Sequence, residues 1–488
     1  MKDTTTAELP LAYDEPAEKP EAKTENQASA QKPAAEANPQ SMEASQEDSG
    51  SSNAPRRPRR NSKMSKGRRG KQSSGGNESG ERGRSDSQNG QQKSENAHRR
   101  ERRKRKKRER KKDVPTGPPE KGEGLLEISA KGFGFLRQAS TGFQQAPDDI
   151  FVTPELVRSY GLRDGMWVKC MSRTGNRGPQ LSELLEICGK KPEQCLDLPY
   201  FEELTAINPN KRIILETAKE NLTTRVVDLV TPVGFGQRGL IVAPPRTGKT
   251  TLIQKMAESV HHNHDYVKIF VLLIDERPEE VTELKRSLPF AEVMASSNDQ
   301  DVKSHTRIAE LAIERAKRLV EAGEHVFLLL DSITRLARSF NNATKGGKGK
   351  GISRGGLAIG ALEIPRRLFA AARNTREAGS LTIIGTALVQ TNSAMDEAIF
   401  QEFKGTGNME LVLDRRIAEQ YIWPAVNIHA SGTRREELLV PKHQLEKSYV
   451  IRRGLAGHKP TEAIERLLNL MEKFPNNAQM LMEIKSSA

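Results

Sequence analysis

The window Ala243-Pro244-Pro245-Arg246-Thr247-Gly248-Lys249-Thr250 constrains this chain more than any other stretch. It follows the apolar run Gly239-Leu240-Ile241-Val242. It precedes apolar residues at Leu252, Ile253, Met256, Ala257 and Val260, which recur at helical spacing. A strand, a tight loop and a helix in that order leave the N–H groups of the helix start free to ring phosphates. Lys249 can then reach the β- and γ-phosphates of ATP, and the Thr250 hydroxyl can hold Mg²⁺. Ala243 stands where this loop pattern usually has Gly, and the paired prolines are expected to fix the loop shape instead. Arg246, Thr247, Gly248 and Thr251 complete the loop's expected nucleotide contacts.

Such a loop needs a sheet behind it. Val267 to Ile274, Val326 to Leu330, Leu381 to Val389 and Met409 to Leu413 are apolar runs of strand length separated by helical spacing. Continuous apolar runs suit strands buried on both faces of a mostly parallel sheet. Two of the runs end in acid. Asp331 closes Val326 to Leu330 and is expected, from a neighbouring strand, to position magnesium. Asp275-Glu276-Arg277 closes Val267 to Ile274 at the edge where ligands of open α/β sheets bind. Glu276 is the expected catalytic carboxylate acting on the attacking water, with Arg277 beside the γ-phosphate. Arg434 is a candidate for the positive charge that hydrolysis needs, although a surface arginine reads the same from local sequence.

At 488 residues the chain has room for about three domains. Lys and Arg number 78 against 64 Asp and Glu, a net charge of +14 that points towards polyanions. Arg99 to Lys112 holds 12 basic and 2 acidic residues, net +10, so 14 minus 10 leaves only +4 for everything else. Residues 1–118 are Ala, Glu, Pro, Ser, Gln, Asn, Gly, Lys and Arg with few side chains to bury, which predicts a disordered basic tail. The basic run reads either as a nucleic-acid-binding arm without sequence preference or as a solvated charge block. Cys170, Cys188 and Cys195 lack metal or disulfide spacing. With no 18-residue apolar run and no signal-like start, the expectation is a cytoplasmic protein with no membrane partner.

Residues 122–190 read as about five short strands punctuated by turns, an oligonucleotide-binding barrel of the cold-shock-like kind. In Gly132-Phe133-Gly134-Phe135-Leu136-Arg137 the two rings alternate with small residues and so share one face. Bases of single-stranded RNA stack on such platforms, worth about 1–3 kcal/mol per base. Asp149-Ile150-Phe151 is expected on a neighbouring strand. Residues 191–225 read as a linker, and 226–488 as the α/β P-loop ATPase domain ending in a helix. Within it, the Gly-rich basic loop Lys345 to Gly356 is a second RNA candidate, through Lys350, Ile352, Ser353, Arg354, Gly355 and Gly356. Lys404-Gly405-Thr406-Gly407-Asn408 is a third.

From about Gly122 onward the chain resembles the Rho family of bacterial transcription termination factors. The likeness rests on Gly132 to Arg137, Gly236 to Pro245, Leu273-Ile-Asp-Glu-Arg-Pro-Glu-Glu-Val-Thr282, Leu330-Asp-Ser-Ile-Thr-Arg-Leu-Ala-Arg338 and Glu402 to Leu411. It implies a homohexameric ring of RecA-like domains with ATP between subunits, an outer crown of barrels capturing C-rich RNA, and loops threading RNA through the hole. By motif it makes Glu276 catalytic, Arg277 a γ-phosphate sensor, Arg434 a finger on the neighbour's ATP, and Trp423 the ring stacking on adenine. Nucleotide contacts from Gly234, Phe235, Gly236, Gln237, Arg238 and Gly239 come with it, and Lys350 to Gly356 with Lys404 become channel contacts. The implied partners are single-stranded RNA and the RNA polymerase elongation complex, with a transcription elongation factor left open. Gly178 stands where the family commonly has a second aromatic, which implies relaxed cytosine preference, and Tyr421 where it is often basic. A rotary or recombinase-type ATPase does not explain the barrel, and a purely RNA-condensing protein does not explain the intact Lys249, Thr250, Glu276 and Asp331.

Overall fold

The computed structural model describes residues 117–175, 178–345, 351–352 and 355–484. The tail at 1–116 lies outside the described residues, as do Lys350, Ser353 and Arg354.

Five strands close a barrel in the order β1 (Pro119–Ile128), β2 (Gly134–Arg137), β3 (Ile150–Val152), β5 (Gly178–Ile187), β4 (Trp167–Gly175), with only β3 and β5 parallel. Helix α1 (Pro154–Ser159) starts at Thr153, whose hydroxyl accepts from the Leu156 N–H. Period-2 alternation sends Leu126, Leu136, Ile150, Val152, Val168, Cys170, Leu181 and Ile187 into the barrel interior. Leu125 points the other way and joins the core of the larger domain.

That larger domain is a twisted sheet. Its strands are β6 (Arg238–Ala243), β7 (Val267–Glu276), β8 (Glu292–Ser297), β9 (His325–Asp331), β10 (Ser380–Leu388) and β11 (Met409–Val412). They lie parallel in the order β8-β7-β9-β10-β6-β11, and the short β12 (Gly432–Thr433) pairs antiparallel with β11. Val271 and Leu273 of β7 face α2 (Leu222–Val230) and α3 (Lys249–Asn263). After α4 (Pro278–Ser287), the helices α5 (Val302–Glu321), α6 (Ile333–Lys345), α7 (Glu363–Ala370) and α8 (Ala394–Lys404) cover Phe270, Leu272 and Ile274 on the opposite face. Beyond the short α9 (Arg415–Glu419), the chain closes with α10 (Lys442–Leu455), α11 (Pro460–Met471) and α12 (Asn477–Glu483). The single terminal helix expected from the sequence is thus two, divided around Pro475, where a ring without an N–H cannot continue the ladder.

The stretch 191–225 is no free linker. Phe201 and Leu204 are buried under the sheet's helical face, Ile213 and Leu215 are in the opposite core, and α2 begins at Leu222. Ala206–Ile207 pairs with Arg373–Thr375, extending the sheet. These apolar residues are too widely spaced to show a period, so burial by the rest of the domain holds them.

The barrel sits directly on α5. At Gly165, with φ of 80°, a Cβ would come within 2.4 Å of the Arg315 backbone N, so only glycine lets the barrel turn approach the helix. Arg307 Nε lies 2.8 Å from Glu127 Oε1, Arg163 Nη2 3.0 Å from Glu321 Oε2, and the Arg315 guanidinium over the Trp167 ring.

Candidate functional site

The loop at Ala243–Thr250 leaves β6 at the carboxyl edge of the sheet and enters α3 at Lys249. Thr247 Oγ1 donates to the Pro244 carbonyl at 2.8 Å and braces the turn, while Arg246 and Thr251 are exposed. Gly248 adopts φ of 75°, and a Cβ there would meet Trp423 Cζ3 at 2.7 Å. The Trp423 ring, 45% exposed, therefore lies against the loop, and the two wall a cavity of about 170 Å³ with Thr223, Thr251, Leu413 and Pro424. A flat aromatic wall beside a phosphate loop suits a purine base.

Glu276 ends β7 and is 2% exposed. A bulge between Ile274 and Glu276, with Asp275 at φ of 56°, ends the strand irregularly and leaves Asp275 half-buried while Glu276 is buried. One Glu276 oxygen lies 3.3 Å from Arg335 Nη2, and the other is buried without a partner. Arg335 also donates to the Asp275 carbonyl. Burial, and then the nearby Asp331 charge, push the Glu276 carboxyl up to about 7. A general base is most effective near the working pH, and the unpartnered oxygen is free to take a proton from water.

Asp331 ends β9, whose sequence neighbour in space is β10 and not β6, so the carboxylate is one strand further from the loop than expected. Thr386 of the intervening β10 donates to Asp331 Oδ1 at 2.7 Å, and Lys249 Nζ lies 2.6 Å from the same oxygen. Among the described residues no cluster of three His, Cys, Asp or Glu is set to cage a metal. Magnesium carried by a nucleotide needs only one or two protein oxygens, and the Thr250 hydroxyl with the fixed Asp331 carboxylate fits that demand. Arg277 is exposed, 3.9 Å from Glu280 at the start of α4, and free to swing towards a phosphate.

Gly234 to Gly239 are not part of this cluster. They lead into and form the amino end of β6, which runs about 17 Å from Arg238 to Ala243 before the loop begins. Phe235 packs against Tyr266 and His325 beneath the sheet, and Gln237 and Arg238 reach towards Asn408. Arg434 follows β12 at that same edge and is exposed.

On the barrel, Phe133, Phe135 and Phe151 form one half-exposed triangle with ring centroids 5.8, 5.6 and 5.6 Å apart. Gly132, at φ of 81°, turns the chain so that Phe133 meets Phe135 although it precedes β2. The alternation that exposes these rings buries Leu136 and Ile150, whose side chains pack in the barrel core instead of facing a base, and leaves Gly134 buried between Phe133 and Phe135. Arg137, 6% exposed, is held between Glu127 and the buried Asp149, and its guanidinium lies 5.1 Å from the Phe135 ring. Arg137 and Asp149 thus brace the platform from below.

Ile352, 66% exposed, bridges to Ala358, while Gly355 and Gly356 take φ of 91° and 81° beside α8. Lys404 ends α8 with its side chain half exposed, 3.9 Å from Glu410. Sequence reading missed two groups of the site. Arg335 lies inside the Leu330 to Arg338 motif, which was a signal; Thr386 shares its strand with Ser380 and Thr382 and had none.

With this geometry in place, comparison with known proteins is informative. Residues 122–193 match the Rho termination factor RNA-binding domain, and residues 223–433 the nucleotide-binding domain of the ATP synthase alpha/beta family. Transcription termination factor Rho of Pseudomonas aeruginosa is 46% identical over 381 residues, covering 77% of this chain and 90% of that protein. The Rhodopirellula baltica factor of the same name is 46% identical over 368 residues, 74% of this chain and 71% of that one. The Escherichia coli factor is 45% identical over 383 residues, 77% and 91%. Among solved structures, a prototypical ATPase from the type III secretion system of pathogenic bacteria aligns with a TM-score of 0.50 over 57% of this chain and 85% of its own. Its 22% identity speaks for the ATPase fold alone.

Proposed function

This chain belongs to the transcription termination factor Rho family, and from that premise we propose that it is an ATP-driven RNA translocase that terminates transcription by drawing nascent RNA out of the RNA polymerase elongation complex. The observation that carries the reading is the pairing, in one chain, of an open three-phenylalanine face with a buried carboxylate raised to about 7 beside a phosphate loop. The barrel binds single-stranded RNA by stacking, with the C-rich preference of the resemblance reduced by Gly178. The ATPase domain hydrolyses ATP.

In the mechanism, the N–H groups at the start of α3 and Lys249 take the β- and γ-phosphates, which draws Lys249 from Asp331. Trp423 stacks on the adenine. Thr250 and Asp331 would hold magnesium, which would supply positive charge against the transferring phosphoryl group. Thr386 keeps Asp331 oriented, Arg335 keeps Glu276 oriented, and Glu276 removes a proton from the attacking water. Arg277 senses the γ-phosphate. Arg434 completes the site of the adjacent subunit in a homohexameric ring, and Lys404 with the loop ending at Gly356 grips RNA in the central hole. No helix among the described residues is long and apolar enough to cross a membrane, and the reading puts the protein in the cytoplasm with the transcription machinery.

Steady-state ATP hydrolysis with and without poly(C) tests this. Strong stimulation by RNA, lost in Glu276→Gln, is expected; hydrolysis indifferent to RNA contradicts a translocase. Equal stimulation by poly(A) and poly(C) is the expected mark of Gly178.

A further inference from the structure

Gln237 and Arg238 were expected at the nucleotide and are at the opposite end of their strand, where they hold something else. Gln237, 1% exposed, donates from Nε2 to Asn408 Oδ1 at 2.7 Å and to the Asn408 carbonyl at 3.1 Å. The Arg238 N–H donates to Asn408 Oδ1 at 2.9 Å, and the Asn408 N–H donates back to the Arg238 carbonyl at 2.9 Å. The Arg238 guanidinium spans two further segments, from Nε to the Thr406 carbonyl and from Nη1 to the Ala372 carbonyl, both at 3.1 Å. Asn408 is also the partner of the finger segment, since the Arg434 N–H donates to its carbonyl at 2.9 Å and Met409 pairs with Thr433.

The Lys404–Asn408 loop therefore has a cation at one end and a rigid bond to Arg434 at the other. Its middle is tied to the sheet through Arg238. Among the described residues, Arg238, Arg373 and Arg434 have no carboxylate at ion-pair distance. Burial, and then the like charges of Arg373 and Arg434, pull Arg238 below the ordinary arginine value. Of these three, Arg434 is exposed, Arg373 lies over the Phe201 ring, and Arg238 is committed to backbone carbonyls.

We propose that Gln237 and Arg238 form a clamp that transmits RNA contact at the Lys404 loop to the placement of Arg434 at the neighbouring subunit's ATP. The proposal rests on the reading given above, in which Lys404 meets RNA and Arg434 meets that ATP. Arg238 is a positioning residue. RNA phosphate drawn to Lys404 shifts the loop. Because Asn408 is gripped from two sides, the shift passes to Arg434 through its backbone bond instead of dissipating in a slack turn. Displacing a catalytic group by about 1 Å costs about a hundredfold in rate, so a clamp of this kind suffices to switch hydrolysis.

The test compares full-length wild type, Arg238→Ala, Arg238→Lys and Gln237→Ala for hydrolysis with and without saturating poly(C), for KM of ATP and for poly(C) affinity, with thermal melting as the check on folding. Lysine keeps the charge but is a single point donor that cannot span Thr406 and Ala372 together. RNA stimulation is expected to fall about tenfold or more in all three variants. The RNA-free rate, KM and poly(C) affinity should stay within about twofold, as for sites that do not touch. Arg238→Ala added to Arg434→Ala should cause no further loss. Wild type that ignores RNA overturns the clamp and the translocase reading together. Stimulated wild type with equally stimulated variants overturns the clamp alone, as does a fully active Arg238→Lys beside an impaired Arg238→Ala, which would mark a charge effect.

Discussion

Phe135 and Phe151 of the barrel face each other on adjacent strands and Phe133 immediately precedes the first of them, so their platform is complete as soon as the barrel closes. Lys249, Glu276, Asp331, Thr386 and Trp423 come from segments scattered across the larger domain and meet only at one edge of its sheet. The barrel face is built by alternation, which any two strands provide. The ATPase site depends on strand order, on a bulge and on one of several hydroxyls of a central strand. RNA capture should therefore survive changes that stop hydrolysis, and the reverse.

The largest expected effect breaks the comparison on the ATPase side. Glu276→Gln removes the proposed general base and should lower RNA-stimulated hydrolysis about 10²- to 10⁴-fold, with poly(C) affinity by filter binding unchanged. On the barrel side, Phe133→Ala, Phe135→Ala and Phe151→Ala should each weaken RNA binding by about 1–3 kcal/mol per lost stack, about tenfold to a hundredfold, and leave the RNA-free hydrolysis rate alone. A base with a carboxyl pKa of about 7 must be ionised to work. Hydrolysis should thus rise about tenfold from pH 6 to pH 8 and level off, while a residual rate in Glu276→Gln should lack that rise. The smallest effect sharpens the base site: Trp423→Ala should raise KM for ATP by about three- to tenfold, the worth of one aromatic stack, with kcat little changed.

The same contrast decides what could be read from sequence. The barrel face was legible because Phe135 and Phe151 alternate with Leu136 and Ile150; the rule that exposes the first pair buries the second, and applying it throughout would have removed Leu136 and Ile150 from the RNA residues. Lys249 and Thr250 were legible because strand, loop and helix are consecutive. Glu276 was named from the acid closing its apolar run, whereas the bulge before it is a backbone irregularity that periodicity does not report. Gly234 to Gly239, given as nucleotide contacts by the resemblance, lie at the other end of β6 from the loop, since a strand carries its two ends to opposite edges of a sheet. Phe201 and Ile213 could not be told from linker residues because their burial comes from elements far along the chain.

Release of transcript from a stalled elongation complex bears most directly on the central claim that RNA held on the barrel is moved by ATP hydrolysis. Wild type with ATP should free the RNA, while Glu276→Gln with ATP, wild type with a non-hydrolysable analogue, and the triple Phe133→Ala/Phe135→Ala/Phe151→Ala variant should all leave it bound. Release without hydrolysis, or release undiminished in the triple variant, would contradict the account.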